Sequence, residues 1–274
     1  MAKSTGTTTP AVETAIVASD KGGVGKTLTA HLRVARHQMQ NGGRLPVVVE
    51  VESEPRLSAI FGADNVKFFP VELDPARLEA DPSLAYATWD AVADVVKRSG
   101  TTVVLDLGAN LVVPFCRYVA EAGDYGPWGK GDAVTFFAVA TGESRAVSSA
   151  RAALFHVRAA LPASRRFFTL NQRDERIFPL DVESAGVKEI IAETGATGAI
   201  RIPCCTSAAF APMTDANAQL TEAVKLSPDH WERELGLPGP AAARAAHRLA
   251  LFLRDGAAAF DAVYGDARAD APAV

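Results

Sequence analysis

Short apolar runs alternate along this chain with segments of helical periodicity, a pattern typical of a mostly parallel sheet with helices on both faces. It predicts an α/β fold with strands at 15–18, 46–51, 66–71, 102–107, 133–140, 166–170 and 199–202. Helices are predicted at 27–40, 84–98, 112–122, 144–160, 182–194, 215–224 and 241–264. The chain has no internal repeat and no linker long enough to divide it. We therefore expect a single domain at 13–264 between flexible tails at 1–12 and 265–274.

A glycine-rich segment separates the first predicted strand from the first predicted helix. Residues 20–27 read Asp-Lys-Gly-Gly-Val-Gly-Lys-Thr, and glycines in such a turn let the backbone direct its N–H groups towards a phosphate. The helix that follows favours negative charge at its N-terminus. Lys26 would reach the β- and γ-phosphates, and the Thr27 hydroxyl would ligate Mg²⁺. The predicted nucleotide contacts of this P-loop are Gly22, Gly23, Val24, Gly25, Lys26, Thr27 and Leu28.

The carboxyl ends of the other predicted strands are expected to complete the site, because phosphate loops lie at this edge of a parallel sheet. The fourth strand delivers Asp106, which would stand beside the Mg²⁺ coordination shell. The second ends at Glu50 and Glu52, where a carboxylate can orient water or hold a metal shell. The alternative is that these acids only end a strand in solvent. Asn110 either lies in a loop that senses the γ-phosphate or caps the following helix.

The string from Lys21 to Thr27 resembles the deviant Walker A motif of the ParA/MinD class of P-loop ATPases. The resemblance implies that Lys21 reaches across an ATP-dependent homodimer to the partner's phosphates. One position departs from the usual motif, because Asp20 stands where glycine or glutamine is common.

The same resemblance extends to the other strand ends. The class usually carries aspartates at the positions of Glu50 and Glu52, the second of them near the metal and the attacking water. The implied catalytic residues are Lys21, Lys26 and Glu52, and the implied metal-binding residues are Thr27 and Asp106. Asn171 and Pro203 match the positions that lie beside adenine in this class.

Four further stretches, at 103–110, 113–115, 138–142 and 201–203, are similar to the TraL/StbB branch of the class. This branch contains small ATPases of plasmid transfer and stability systems. The resemblance implies a switch ATPase that uses ATP and Mg²⁺, dimerises on ATP, and hydrolyses it slowly to ADP and phosphate under stimulation by a protein partner. The implied setting is plasmid partition, plasmid stability, conjugative transfer or the positioning of another cargo.

Composition limits the other classes of partner. A net charge of −4 and a pI near 5.8 do not support nonspecific DNA binding. A local basic cluster nevertheless resembles the surface arginines through which ParA proteins bind DNA; the alternative is a solvated helix face. Its members are Arg151, Arg158, Arg165, Arg166, Arg173 and Arg176. Cys116, Cys204 and Cys205 lack the spacing of a metal or iron–sulfur site.

No apolar run approaches the roughly 20 residues that span a bilayer. The C-terminal segment after Tyr264 lacks the apolar stripe of a membrane-surface helix. We therefore expect a cytoplasmic protein with no membrane partner. Two other functions stay open at this point: an ATP-binding dimeric scaffold with little or no hydrolysis, and a P-loop kinase or ligase that acts on a small metabolite.

Overall fold

The computed structural model describes residues 13–71, 83–129, 131–174 and 176–264, and both predicted tails lie outside these residues. The described strands form one seven-stranded sheet with the order β3-β2-β4-β1-β5-β6-β7, and every pairing is parallel. Their bounds are β1 Thr14–Ala18, β2 Val47–Glu52, β3 Val66–Pro70, β4 Val103–Leu107, β5 Val134–Ala140, β6 Arg165–Asn171 and β7 Gly198–Ile202. The predicted α/β fold is confirmed.

The sheet forms where the sequence carries continuous apolar runs. Strand β5 is buried along its whole length, which is the pattern of a parallel strand covered on both faces. Phe136 and Phe137 point to opposite faces of this strand, and both are fully buried. A single contiguous apolar core therefore extends to both sides of the sheet.

The described helices connect and cover these strands. They are α1 Lys26–Gln40, α2 Leu57–Phe61, α3 Leu84–Arg98, α4 Val112–Ala122, α5 Ser144–Ala160, α6 Ala185–Thr194, α7 Phe210–Asp215, α8 Leu220–Ala223, α9 Pro228–Leu235, α10 Gly239–Ala258 and α11 Asp261–Tyr264. Helix α1 packs on β1 and β4 and against α10, whereas α5 packs on β5 and β6 and against α4 and α6.

The direction of the chain across the sheet reverses between β4 and β1. From β1 the chain crosses through α1 to β2, and from β4 it crosses through α4 in the opposite direction to β5. Because such crossovers are right-handed, α1 and α4 lie on opposite faces of the sheet. The loops after β1 and β4 therefore diverge and open a crevice at the carboxyl edge, which is where ligands bind in sheets of this type.

Three predicted helices are wrong in their extent. The helix predicted at 182–194 begins at Ala185, because Ser184 caps it by accepting a hydrogen bond from the Val187 N–H. Within the segment 215–224 only Asp215, the last residue of α7, and the four residues of α8 are helical. Between them Asn217 adopts a left-handed φ of 51°, which a continuous helix does not allow. The segment 241–264 is divided into α10 and α11.

Among the described residues, two α-helices lie outside every predicted helix, and α7 overlaps a predicted helix only at Asp215. Helix α9 begins with a Ser227 cap, whose side chain accepts a hydrogen bond from the His230 N–H, and it carries Pro228 at its first position. Helix α2 has only five residues, too few for a periodic signal, and it depends on a distant carboxylate described below.

No helix within the described residues combines the length and the apolar character that a membrane span requires.

Candidate nucleotide site

The loop between β1 and α1 forms a cradle at the sheet's carboxyl edge. Gly23 and Gly25 adopt φ angles of 75° and 92°, which only glycine adopts readily. Helix α1 begins at Lys26, directly after Gly25, so its first N–H groups and the positive end of its dipole face the loop. The predicted strand–loop–helix arrangement is present.

Strand β6 holds this loop from the side. The Asn171 amide donates a hydrogen bond to the Val24 carbonyl at 2.9 Å, and an Arg173 guanidinium nitrogen donates one to the Gly23 carbonyl. A Cβ on Gly25 would overlap the Asn171 amide nitrogen. The Asn171 side chain therefore lies so close to the loop backbone that only glycine fits at position 25. Asn171 was predicted from the family resemblance to contact adenine. In the structure its amide supports the loop.

The predicted phosphate and metal residues meet in one cavity of about 180 Å³. Its lining comes from the ends of β1, β2, β4 and β6 and comprises Gly23, Gly25, Lys26, Thr27, Glu52, Arg56, Asp106, Leu107, Gly108 and Arg173. The Lys26 ammonium donates a hydrogen bond to the Lys21 carbonyl at 3.4 Å. Burial lowers the pKa of Lys26, while the nearby carboxylates of Asp106 and Glu52 oppose that change.

Asp106 is a buried acid with an unpaired carboxylate oxygen beside the P-loop. It is 5% exposed, and its Oδ1 atom is buried with no hydrogen-bond partner among the described residues. Burial raises the pKa of Asp106 to about 7, although the adjacent Thr27 hydroxyl and the Lys26 charge favour the ionised form. An orphaned carboxylate oxygen beside a hydroxyl fits a hard divalent cation such as Mg²⁺.

The described residues contain no cluster of three or more side chains able to hold a metal ion. A metal at Thr27 and Asp106 would therefore take its remaining ligands from water and phosphate, which is how Mg²⁺ is usually bound beside nucleotides.

The two acids of β2 have different surroundings. Glu50 is 1% exposed, and its carboxylate accepts hydrogen bonds from the backbone N–H groups of Arg56, Leu57 and Ser58 at the start of α2. Glu52 instead lines the 180 Å³ cavity, and its carboxylate lies so close to Gly108 that a Cβ there would overlap it. Of the two, Glu52 is the acid that faces the cavity.

Asp20 has a partner across the crevice. Its Oδ1 atom accepts a hydrogen bond from the Val112 N–H at 3.2 Å, at the first residue of α4. A carboxylate at a helix N-terminus is favourable, which gives Asp20 a structural role. Asn110 was one candidate cap for this helix. Asn110 lies in the β4–α4 loop with a left-handed φ of 63°. The residue at the cap position of α4 is Leu111, so Asn110 does not cap this helix.

A second, larger cavity of about 460 Å³ adjoins the first. Four residues, Gly25, Thr27, Arg56 and Arg173, line both cavities. The rest of its lining comes from α1, the loop and helix after β2, strand β6, and the α7 region: Leu28, His31, Pro55, Ala59, Ile60, Asn171, Phe210, Met213, Thr214, Asn217 and Ala218. An apolar pocket beside a cationic cradle suits a ligand with a flat apolar part and an anionic part.

His31 is held in this wall as a neutral side chain. Its Nε2 atom accepts a hydrogen bond from the Leu220 N–H at 3.0 Å, and its ring packs edge-on against Phe61. Burial lowers the pKa of His31 to about 4, so the imidazole is uncharged at neutral pH.

Some predicted residues lie outside these two cavities. Lys21, Gly22, Val24 and Pro203 line neither of them, and the Val24 side chain is buried. Most of the lining of the larger cavity was missed as nucleotide-site candidates, and so were three basic side chains, Arg56, Arg173 and His31. The available signals were weak, namely an arginine two residues after Asn171 and another shortly after the β2 acids.

The arginines grouped as a basic cluster have separate environments. Arg166 is 7% exposed, and its guanidinium donates to the carbonyls of Ser164 and Gly195. Arg165 donates to the Val263 carbonyl, and Arg151 forms an ion pair with Glu193. These contacts do not favour one continuous DNA-binding patch.

Comparisons with known proteins identify no family for this chain. No family model matches the chain, and no curated protein matches it. Among solved structures it is similar to a plasmid partition protein from Borrelia burgdorferi, at 13% sequence identity and a TM-score of 0.39. The match covers 69% of this chain and 88% of that one. A similarity this low carries no argument about this chain.

Proposed function

We propose that the protein is an ATPase switch of the ParA/MinD class that binds ATP with Mg²⁺. The observation that carries this proposal is the union of Lys26, Thr27 and Asp106 in one cavity at the β1–α1 loop. The loop supplies N–H donors and a helix dipole, the lysine supplies positive charge, and the orphaned Asp106 oxygen suits a metal shell. The adjoining 460 Å³ cavity has room for a nucleoside.

The residues divide the work of phosphoryl transfer to water. Lys26 neutralises charge on the terminal phosphates, and Mg²⁺, when bound at Thr27 and Asp106, neutralises more of it. Glu52 orients the attacking water by accepting its proton in a hydrogen bond. Positioning and charge neutralisation account for most catalysis in this reaction class. The adenine lies in the larger cavity, near Asn171. A contact of Pro203 with the base rests on the family resemblance alone, because Pro203 lines neither cavity.

Binding of Mg-ATP tests the site directly. We expect calorimetry to show binding by the wild type and a loss of about 10- to 100-fold or more in Lys26→Ala, because a hydrogen-bonded cation is removed. Lys97→Ala is the matched control, since Lys97 lies exposed at the end of α3. Equal affinity in wild type and Lys26→Ala would reject the phosphate-loop assignment.

We further propose that ATP bridges two subunits, with Lys21 of each contacting the phosphates of the other. Lys21→Ala should then bind ATP as a monomer, whereas the wild type dimerises on ATP. Light scattering with and without ATP makes the comparison. ATP-dependent dimers that persist in Lys21→Ala would count against this arrangement.

A second candidate is an ATP-binding dimeric scaffold with little or no hydrolysis. It is favoured by the position of Glu52, which is longer than aspartate and lies against Gly108, where it can displace the attacking water. Single-turnover hydrolysis separates the two functions. Slow turnover that falls further in Glu52→Gln supports the ATPase. Turnover that Glu52→Gln leaves unchanged removes Glu52 from the water-positioning role and leaves the scaffold ahead.

The cellular role follows the resemblance to the TraL/StbB branch. We propose cytoplasmic action in plasmid partition, stability or conjugative transfer, with a protein partner that stimulates hydrolysis. Hydrolysis assays with candidate partners encoded beside the gene would test this role.

A further inference from the structure

His31 is a buried polar side chain in the wall of the 460 Å³ cavity. It lies on α1 one helical turn after Thr27, and both residues line this cavity. His31 is only 4% exposed, and its Nε2 atom accepts a hydrogen bond from the Leu220 N–H at 3.0 Å. This contact satisfies the first N–H group of α8, which gives Nε2 a structural role.

The contact with Leu220 determines which ring nitrogen of His31 carries the proton. A ring nitrogen that accepts a hydrogen bond has no proton of its own. Because burial lowers the pKa of His31 to about 4, the ring is neutral at pH 7 and carries one N–H proton in all. That proton is therefore on Nδ1, which makes Nδ1 a hydrogen-bond donor.

The Nδ1–H group of His31 has no acceptor among the described residues. The ring's contacts with them are the Nε2 hydrogen bond and the edge-on packing against Phe61. Some side-chain atoms of the described residues are both unpaired and sealed from solvent, such as Trp128 Nε1, but His31 Nδ1 is not one of them. The unpaired donor is therefore reached through the cavity that His31 lines. A donor in such a wall is unfavourable unless something in the cavity accepts its hydrogen bond.

The rest of the lining indicates which part of a nucleotide would lie beside His31. It includes the apolar side chains of Leu28, Pro55, Ile60, Phe210 and Met213. Such surfaces suit the flat face of a nucleobase better than the hydroxyl groups of a ribose. The larger cavity also shares Gly25 and Thr27 with the smaller one, so a base in the first can be joined to phosphates in the second.

We propose that His31 binds the base of the nucleotide by donating its Nδ1–H to an acceptor nitrogen of the purine ring. The proposal rests on the function proposed above, in which the base occupies the larger cavity. It adds a contact that the P-loop motif does not supply, because Lys26 and Thr27 act on the phosphates and the metal alone.

Analogues of ATP can test every acceptor nitrogen that the adenine ring offers. These nitrogens are N1, N3 and N7, and 1-deaza-ATP, 3-deaza-ATP and 7-deaza-ATP each replace one of them by a C–H group. Calorimetry would measure the binding of Mg-ATP and of the Mg²⁺ complex of each analogue. The wild type comes first, and this comparison does not depend on the stability of any variant.

Two variants then test whether His31 is the donor. His31→Leu removes both ring nitrogens, whereas His31→Gln keeps an oxygen that can accept from the Leu220 N–H but has no donor at the position of Nδ1. The second variant therefore retains the support of α8 if the first one is too unstable to measure. His37→Leu is the matched control, because His37 is another buried histidine of α1 and lines neither cavity.

We expect the wild type to bind one of the three analogues about 5- to 100-fold more weakly than ATP, as for a buried donor that loses its acceptor. His31→Leu and His31→Gln should bind ATP and that analogue equally, because the donor that distinguishes them is absent. His37→Leu should keep the preference of the wild type.

Two results would overturn the inference. Equal affinity of the wild type for ATP and all three analogues would show that no ring nitrogen accepts a hydrogen bond from the protein. A preference that persists in both His31 variants would assign the contact to another group. A wild-type protein that binds no Mg-ATP would instead refute the function proposed above, so the two failures are distinguishable.

Discussion

Glu50→Gln should destabilise the fold without acting on the chemistry. Glu50 matches a family position that is usually an aspartate, which favours a role in catalysis. In the structure its carboxylate is buried and caps α2. The substitution preserves shape and removes the charge, so it separates a structural role from a chemical one.

The magnitude follows from the hydrogen bonds of this carboxylate. Oε1 accepts from the N–H groups of Arg56 at 2.6 Å and Leu57 at 2.8 Å, while Oε2 accepts from the Ser58 N–H at 3.1 Å and the Ser58 hydroxyl at 3.0 Å. In glutamine one oxygen becomes an NH₂ group, which cannot accept from the Ser58 N–H. The hydroxyl can rotate to accept, but the backbone donor stays buried and unpaired.

Leaving one buried donor unpaired costs about 1–3 kcal/mol, and two charge-assisted bonds become neutral ones. Removing the desolvation cost of a buried charge offsets part of this loss. We expect a net loss of about 2–4 kcal/mol in the free energy of unfolding. For a domain of this size that corresponds to a melting temperature lower by roughly 5–15 °C.

The assay is thermal and urea unfolding of ligand-free Glu50→Gln beside Glu54→Gln and Glu52→Gln. Glu54 is the matched control, because it is an exposed acid in the same loop. Both controls should melt like the wild type. If Glu50→Gln also melted like the wild type, the capping argument would be refuted and Glu50 would return as a candidate for the chemistry.

Three further predictions concern the loop, the metal site and the far edge of the sheet. Gly25→Ala should lose Mg-ATP binding and stability, because its Cβ would overlap Asn171 at a φ of 92°; Gly100→Ala, with open space around it, is the control in calorimetry and melting. Burial raises the pKa of Asp106 from its ordinary 3.8 to about 7. Between pH 3.8 and about 7 the folded protein therefore holds a proton on Asp106 that the unfolded chain loses, so the stability of the ligand-free protein should fall as the pH rises through this range. The affinity for Mg²⁺ should rise as the pH passes about 7, because Asp106 then loses its proton. Urea unfolding against pH measures the first effect, and Asp106→Asn should remove it. Tyr264→Phe should lower unfolding stability by about 1–3 kcal/mol, because the Tyr264 hydroxyl accepts from a buried arginine, but it should leave ATP binding unchanged at the opposite edge.

The sequence by itself determined the sheet and the loop. Each predicted strand agrees with an observed strand to within one residue at either end. Strands buried on both faces are continuous apolar runs in the sequence, and each run stops where the backbone leaves the core. The bounds of these strands can therefore be predicted from neighbouring residues alone. The roles of Gly25, Lys26 and Thr27 in the loop could be predicted in the same way, because the conformation of a tight turn that leads into a helix depends on neighbouring residues.

Helix ends were less determined where the backbone turns without glycine or proline. The left-handed Asn217 divides a segment whose periodicity suggested one helix, since asparagine tolerates this conformation but does not require it. By contrast, the start of α9 could have been predicted from the sequence, because Ser227 followed by Pro228 is a typical helix N-terminus.

Only the tertiary structure decided which polar residues serve the site. Glu50 and Glu52 are two positions apart on one strand, yet one lies under the backbone of α2 and the other faces the open cavity. Asp20 finds its partner 92 positions away, and Arg173 finds the P-loop 150 positions away. Polar side chains take their roles from the hydrogen-bond partners that folding brings to them, and those partners are set by packing across the sheet.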